Sequence, residues 1–108
     1  MNILVCDDEQ SRCDQIVASI REAGLPKPRE LVGTQLTTEL KTLFKNVKAC
    51  FDNPVDYKPG GKLAFDDAEI VILDNNLALL EVEGTRLTAE SIVGYVRAFT
   101  TASYIVSL

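Results

Sequence analysis

Short apolar runs alternate with longer amphipathic stretches along this chain. Residues 3–6 are continuously apolar, too few for a helix, and are followed at once by acidic residues, which predicts a strand buried on both faces of a parallel sheet. The next apolar residues recur at helical spacing until Gly24 and Pro26, which predicts an amphipathic helix that ends there. These apolar residues are Cys13, Ile16, Val17, Ile20 and Ala23.

The middle of the chain predicts a second strand, a second helix and a loop. Residues 30–32 are a short extended candidate. A long apolar stripe at helical spacing follows and ends at residues 52–54. Residues 53–67 contain two prolines and a Gly-Gly pair, so we expect a long surface loop there. The stripe consists of Leu36, Leu40, Leu43, Phe44, Val47, Cys50 and Phe51.

The last third repeats the opening theme. Residues 69–74 predict a buried strand that ends on Asp74, and residues 104–108 predict a final apolar strand. A third helical stripe lies between them, after a loop that contains Gly84. This alternation predicts one α/β domain over residues 1–108, a doubly wound parallel sheet of four strands with three helices. The stripe consists of Ala89, Ile92, Val93, Val96 and Phe99.

Composition narrows the class of protein. A net charge of −5 argues against nucleic acid as the main partner, because phosphate binding needs clustered Lys and Arg. No apolar run is long enough to span a bilayer and no secretory signal is visible, so we expect a cytoplasmic protein without membrane contact. Three cysteines and no histidine disfavour a zinc site and exclude Ser-His or Cys-His catalysis.

The candidate chemistry lies where two predicted strands end in acids. Asp7 and Asp8 follow the first strand, and Asp74 ends the third. In open parallel sheets ligands bind beyond the carboxyl ends of strands where the strand order reverses, which in the flavodoxin-like order lies between these two strands. Three clustered carboxylates need a compensating cation, and Mg²⁺ suits them. Such a site would suit aspartyl-phosphate formation on Asp74.

Each acid also has a simpler interpretation. Asp7 and Asp8 precede a helix, where acids commonly cap free N–H groups. Asp74 alone could be a turn residue, and Glu9 is better interpreted as an acid of the first helical turn than as a ligand. Neither a Gly-x-Gly-x-x-Gly nor a Walker-type Gly-Lys-Ser/Thr loop occurs, which disfavours nucleotide binding.

Three segments in order resemble the receiver domains of response regulators: residues 3–9, residues 70–77 with Gly84 after them, and residues 104–107. The resemblance implies a flavodoxin-like fold in which Asp7 and Asp8 form the acidic pair. It implies that Asp74 accepts phosphate from a sensor histidine kinase or phosphotransfer protein. Asn76 would lend its backbone carbonyl to Mg²⁺, and Ser107 would be the switch hydroxyl that bonds the phosphoryl group.

The chain departs from this family in four respects. Ala78 stands where the family usually has Pro, and the loops at residues 77–83 and 53–67 are longer than usual. A fifth strand ending in Lys would be needed, and the chain stops at Leu108, so we expect a fragment truncated after the fourth strand. Its fourth strand would then be an edge, which predicts a homodimer or an exchange of elements between copies.

Two other functions compete with a phosphorylated, non-enzymatic signalling domain. One is a degenerate receiver that only docks another protein. The other is a haloacid-dehalogenase-like phosphatase, which ranks third because that family has Asp-x-Asp after its first strand and this chain has Asp7-Asp8-Glu9.

Overall fold

The computed structural model describes residues 1–58, 60–74, 81–82 and 84–108. Over these residues the chain is an α/β protein with three α-helices. In chain order the elements are β1 (Ile3–Asp7), α1 (Gln10–Glu22), β2 (Arg29–Val32), α2 (Thr34–Asp52), a 3₁₀ turn (Ala64–Asp67), β3 (Ile70–Leu73), β4 (Glu81–Val82), β5 (Thr85–Arg86), α3 (Ala89–Phe99) and β6 (Tyr104–Ser107).

Four strands form one parallel sheet in the order β2-β1-β3-β6. Val5 of β1 lies level with Glu30 of β2 on one side and with Ile72 of β3 on the other. The chain thus places β2 on one side of β1 and then β3 and β6 on the other side, so the strand order reverses between β1 and β3. The predicted four-stranded parallel sheet with three helices is confirmed, and the order is consistent with a flavodoxin-like arrangement.

Alternation along the strands divides the core into two layers. Leu4 and Cys6 of β1 pack with the apolar faces of α2 and α3, whereas Ile3 and Val5 pack with α1. β3 follows the same rule, with Val71 on the α2/α3 side. Because side chains of a strand point alternately to opposite faces, a strand buried on both sides reads as a continuous apolar run.

The first helix ends as its sequence predicts. Gly24 has φ +78°, a left-handed conformation that favours glycine. Its N–H donates to the carbonyl of Arg21 (3.0 Å), and the Leu25 N–H donates to the carbonyl of Ile20 (3.2 Å). These two bonds satisfy carbonyls that the helix leaves open, which is a Schellman motif.

The predicted surface loop over residues 53–67 is wrong in its second half. Leu63 and Phe65 are buried, and the 3₁₀ turn inserts Phe65 into the α2/α3 layer. Burying a side chain of this size contributes about 2–3 kcal/mol, which outweighs the loop-like composition around it. The predicted apolar stripe of α2 is also too long, because Phe51 is 75% exposed.

The chain between β3 and α3 contains secondary structure that the pattern did not predict. β4 and β5 pair antiparallel, with Glu81 opposite Arg86. Residues 77–83 were predicted to form a loop, so the placement of β4 at Glu81–Val82 corrects the end of that segment. The residues before it lie outside those described.

The last strand, β6, lies at the edge of the described sheet, as predicted for the fourth strand. β6 pairs only with β3 among the described strands, and Tyr104, Val106 and Leu108 are exposed. An edge strand with an uncovered face explains this exposure. Association of two copies through β6 stays a prediction, and a monomer in light scattering at high protein concentration would contradict it. No described helix has the length and apolar character needed to cross a bilayer.

Candidate functional site

The carboxyl ends of β1 and β3 bring three carboxylates together. One oxygen from each of Asp7, Asp8 and Asp74 lies within 4.8 Å of the other two. The backbone explains this meeting: Cys6 and Leu73 are level in the sheet, and the Asp74 N–H donates to the Cys6 carbonyl (3.2 Å). Continuing the strand alternation directs Asp7 and Asp74 to the α1 side of the sheet. The predicted acidic cluster at the order reversal is therefore present.

Two carboxylate oxygens of this cluster are buried and find no hydrogen-bond partner in the part of the chain that the structure describes. They are Oδ2 of Asp7 and Oδ1 of Asp8. Asp7 is 0% exposed, and only its Oδ1 accepts a bond, from the Glu9 N–H (2.9 Å). This bond involves the N–H of the residue before α1, and α1 has no side-chain cap hydrogen bond, so helix capping, the simpler interpretation of this pair, does not account for the two oxygens. A buried polar group without a partner is costly, and such groups often mark the position of an ion.

The surroundings of Asp7 disfavour its ionised form, although the charge of Arg12 acts in the opposite direction. Burial raises the pKa of Asp7, and the nearby carboxyl groups of Asp8 and Asp74 raise that pKa further. The hydrogen bond from the Glu9 N–H acts in the opposite direction and lowers it. A cation placed among the three carboxylates would favour their ionised forms.

Arg12 is part of this site, and sequence reasoning missed it. Its Nη1 lies 2.9 Å from Oδ2 of Asp74, and its Nη2 lies 3.0 Å from Oε1 of Glu9. The hydrogen bond to Glu9 and the charge of Asp74 raise the pKa of Arg12, so it is a permanent cation. A signal existed: an arginine in the first turn of a helix that begins at a strand end can reach back over that end. Glu9 precedes α1 rather than lying in its first turn, and its side chain pairs with Arg12.

The remaining predicted site residues lie differently. Ser107 is level with Leu73 in β6, which places it at the same edge of the sheet as Asp74. It is exposed, and its role as the switch hydroxyl stays a prediction. Asn76 lies outside the described residues, as does Ala78. Cys6 and Cys13 are buried as expected, and burial raises the pKa of the Cys13 thiol to about 12.

A cavity lies at the other end of the sheet, away from the acidic cluster. It has a volume of about 810 Å³ and lies between the ends of α2 and α3 and the segment before β3. Tyr57, Lys62 and Asp66 are among its lining residues, and none of the three clustered aspartates is. Chemistry, rather than size, therefore singles out the acidic cluster.

The donor set of the cluster fits a hard divalent cation. Mg²⁺ is usually held by one or two carboxylates, with waters and phosphate oxygens completing its shell. Asp7, Asp8 and Asp74 supply carboxylate oxygens from one small volume, and two buried oxygens lack a partner. Comparisons with protein-family models, with curated protein sequences and with solved structures give no match to this chain.

Proposed function

We propose that this chain is a receiver domain of two-component signalling with a flavodoxin-like fold, in which Asp74 accepts a phosphoryl group. The donor would be a histidine kinase or a phosphotransfer protein. One observation carries the proposal: three carboxylates converge where the strand order reverses, and two of their buried oxygens have no hydrogen-bond partner among the described residues. An acidic cluster that served only the fold would pair those oxygens internally.

Asp7, Asp8 and Asp74 are the residues that would hold Mg²⁺. The orphaned oxygens of Asp7 and Asp8 are the strongest candidates for ligands, because they have the most to gain from a cation. Asn76 would add its backbone carbonyl by resemblance to receivers. When bound, Mg²⁺ would neutralise charge on the phosphoryl group that approaches the cluster.

Asp74 would be the carboxylate that reacts with a phosphoryl donor, as the resemblance to receivers implies. Its side chain is 13% exposed, whereas Asp7 is fully buried beneath it. A carboxylate oxygen of Asp74 would attack phosphorus, forming a C–O–P bond while the bond to the donor breaks and the donor leaves with the electron pair. Ser107, at the same edge of the sheet, would donate its hydroxyl to the phosphoryl group in the switched state.

Intact mass spectrometry tests the proposal directly. The chain is incubated with Mg²⁺ and acetyl phosphate, and we expect one added phosphoryl group that disappears with EDTA and in Asp74→Asn. Asp52→Asn at the exposed end of α2 removes the same charge far from the cluster and should leave the added mass intact. Absence of any Mg²⁺-dependent adduct would contradict the proposal.

The same experiment separates the two competing functions. A chain whose amide resonances respond neither to Mg²⁺ nor to beryllofluoride would favour the docking module. Steady release of phosphate from a small phosphoester would favour the phosphatase.

A further inference from the structure

We propose that Arg12 is the cation that contacts the phosphoryl group in this site. The inference deepens the proposed function and rests on it. Its basis is the 2.9 Å contact between Nη1 of Arg12 and Oδ2 of Asp74, the residue proposed to react. A guanidinium in hydrogen-bond contact with this carboxylate lies next to the place where a phosphoryl group on Asp74 would be bound.

The guanidinium is held in place from two sides. Nη1 donates to Asp74, while Nη2 lies 3.0 Å from Glu9, the residue that begins α1. Glu9 itself is more than half exposed, so it anchors Arg12 from the solvent side without closing the cluster. Arginine carries five N–H donors in a planar fork, so one guanidinium can bind several acceptors at once.

Arg12 also lies on the side from which a donor must arrive. Its side chain is 31% exposed, compared with 13% for Asp74 and none for Asp7. Among the described residues, it is the cation whose ion pair reaches the cluster, since the other described ion pairs involve Glu69 and Asp67. A phosphoryl group that reaches Asp74 from solvent therefore meets Arg12.

The movement of negative charge during the reaction suits this position. Before transfer, the charge that Arg12 neutralises lies on the Asp74 carboxylate. After transfer, the bonded carboxylate oxygen is part of an acyl phosphate, and the charge lies on the phosphoryl oxygens further out. Arg12 can follow it by transferring a hydrogen bond from the carboxylate to a phosphoryl oxygen, and guanidinium–phosphate pairs are often bidentate.

A simpler role for Arg12 would be to neutralise or position Asp74 in the resting protein. The two roles differ in what they do to Mg²⁺ and to the phosphoryl group. Loss of a phosphoryl contact should weaken the phosphoryl adduct and leave Mg²⁺ affinity unchanged or higher, since a nearby positive charge is removed. Loss of a positioning contact should weaken both together.

The experiment measures Mg²⁺ affinity by calorimetric titration and beryllofluoride affinity by amide shifts at saturating Mg²⁺. Arg12→Gln is compared with wild type, with Arg12→Lys, and with Arg21→Gln, which removes an exposed arginine from the last turn of the same helix. We expect Arg12→Gln to weaken beryllofluoride binding at least tenfold at undiminished Mg²⁺ affinity. Arg12→Lys should recover part of that loss, because it restores the charge without the fork.

Three outcomes decide the matter. Unchanged beryllofluoride affinity in Arg12→Gln would overturn the role of Arg12 and leave the proposed function standing. A parallel loss of Mg²⁺ affinity would assign Arg12 to positioning Asp74 and also overturn it. No Mg²⁺ or beryllofluoride response in wild type would overturn the proposed function, and this inference with it. Urea unfolding without Mg²⁺ shows whether Arg12→Gln is folded, and Arg12→Lys carries the test if it is not.

Discussion

Two pairs of adjacent aspartates lie at opposite ends of the strands of one sheet, and they differ in their hydrogen-bond and ion-pair partners. Asp7 and Asp8 follow β1 at its carboxyl end, while Asp66 and Asp67 precede β3 at its amino end. In the sequence both are simply Asp-Asp beside a short apolar run. What separates them is whether the protein supplies partners for their oxygens.

Asp66 and Asp67 are satisfied by their own chain. The two oxygens of Asp66 accept the N–H groups of Leu63 (2.8 Å) and Thr101 (3.0 Å), which ties the 3₁₀ turn to the start of β6. Asp67 pairs with Lys62 at 2.6 Å, and this contact lowers the pKa of Asp67. Nothing about this pair calls for a ligand.

The pair at the other edge has the opposite character. Two of its oxygens are buried and unpaired, a third carboxylate approaches within 4.8 Å, and the pKa of Asp7 is raised rather than lowered. The number of hydrogen-bond and ion-pair partners therefore distinguishes a carboxylate that stabilises the fold from one that is available to an ion, and the mere presence of two adjacent acids does not. Substitutions in the two pairs should consequently act on different properties.

Asp7→Asn should have the largest effect, and it should act on Mg²⁺ binding. At a Mg²⁺ concentration of 100 times its dissociation constant, binding raises the free energy of unfolding of the wild type by about 2.7 kcal/mol. We expect Asp7→Asn to lose most of this, because it removes a buried anionic ligand while an amide oxygen can still accept the Glu9 N–H. Urea unfolding with and without Mg²⁺ measures the effect. If Mg²⁺ raised the free energy of unfolding of Asp7→Asn as much as that of the wild type, the contrast between the two aspartate pairs would be contradicted.

Asp66→Ala should destabilise the fold without touching Mg²⁺ affinity. It leaves two backbone N–H groups without their carboxylate acceptor, and we expect a loss of about 2 kcal/mol in the free energy of unfolding. Asp66→Asn keeps one acceptor oxygen and should lose less. Unfolding in urea measures both variants, and calorimetric titration should give them the wild-type Mg²⁺ dissociation constant. A weakened Mg²⁺ site would show that the two edges are coupled.

Much of this contrast could not be read from the sequence. The strand–helix alternation predicted the parallel sheet, and strand ends predicted that Asp7 and Asp74 would meet. Both predictions depend on local periodicity and on the common edge of parallel strands. The orphaned oxygens, the partners of Asp66 and the reach of Arg12 depend on side-chain geometry between distant segments, and no local pattern encodes that.

The burial of Phe65 and the exposure of Tyr104 have a common cause. Burial at Phe65 and exposure at Tyr104 are both set by which other elements cover a residue, and hydrophobicity alone does not determine this. Phe65 is covered by α2 and α3 although it lies among turn formers. Tyr104 lies on an edge strand, where its apolar character does not bring burial.

Asp8→Asn should have a smaller effect, and its sign should depend on Mg²⁺. Without metal, the substitution removes one of three mutually repelling charges, so we expect the free energy of unfolding to rise by about 1 kcal/mol. With saturating Mg²⁺ the variant should be less stable than wild type, because a ligand is lost. Urea unfolding with and without Mg²⁺ shows whether the stability difference between the variant and the wild type changes sign. A loss of stability in metal-free Asp8→Asn would mean that the fold itself uses this carboxylate.

Asp67→Asn should have the smallest effect, visible only in the dependence of stability on pH. The pKa of Asp67 is lowered from its usual 3.8, chiefly by the hydrogen bond from Lys62, so the folded state holds the charged form more tightly than the unfolded state does. Its contribution is therefore present above pH 3.8 and is lost as pH falls through the lowered pKa. Asp67→Asn should flatten that acidic limb, and urea midpoints across this range measure it.

The effect of Asp67→Asn should also shrink with salt. The Asp67 side chain is 44% exposed, and exposed ion pairs are screened once the ionic strength rises toward about 1 M. The contribution of Asp7 to the pH dependence of stability has the opposite sign, because its raised pKa means that ionising Asp7 destabilises the metal-free fold. Removing Asp7 should thus raise metal-free stability as pH rises above 3.8, where removing Asp67 lowers it. Slopes of the same sign in the two variants would contradict the distinction between a paired and an unpaired aspartate.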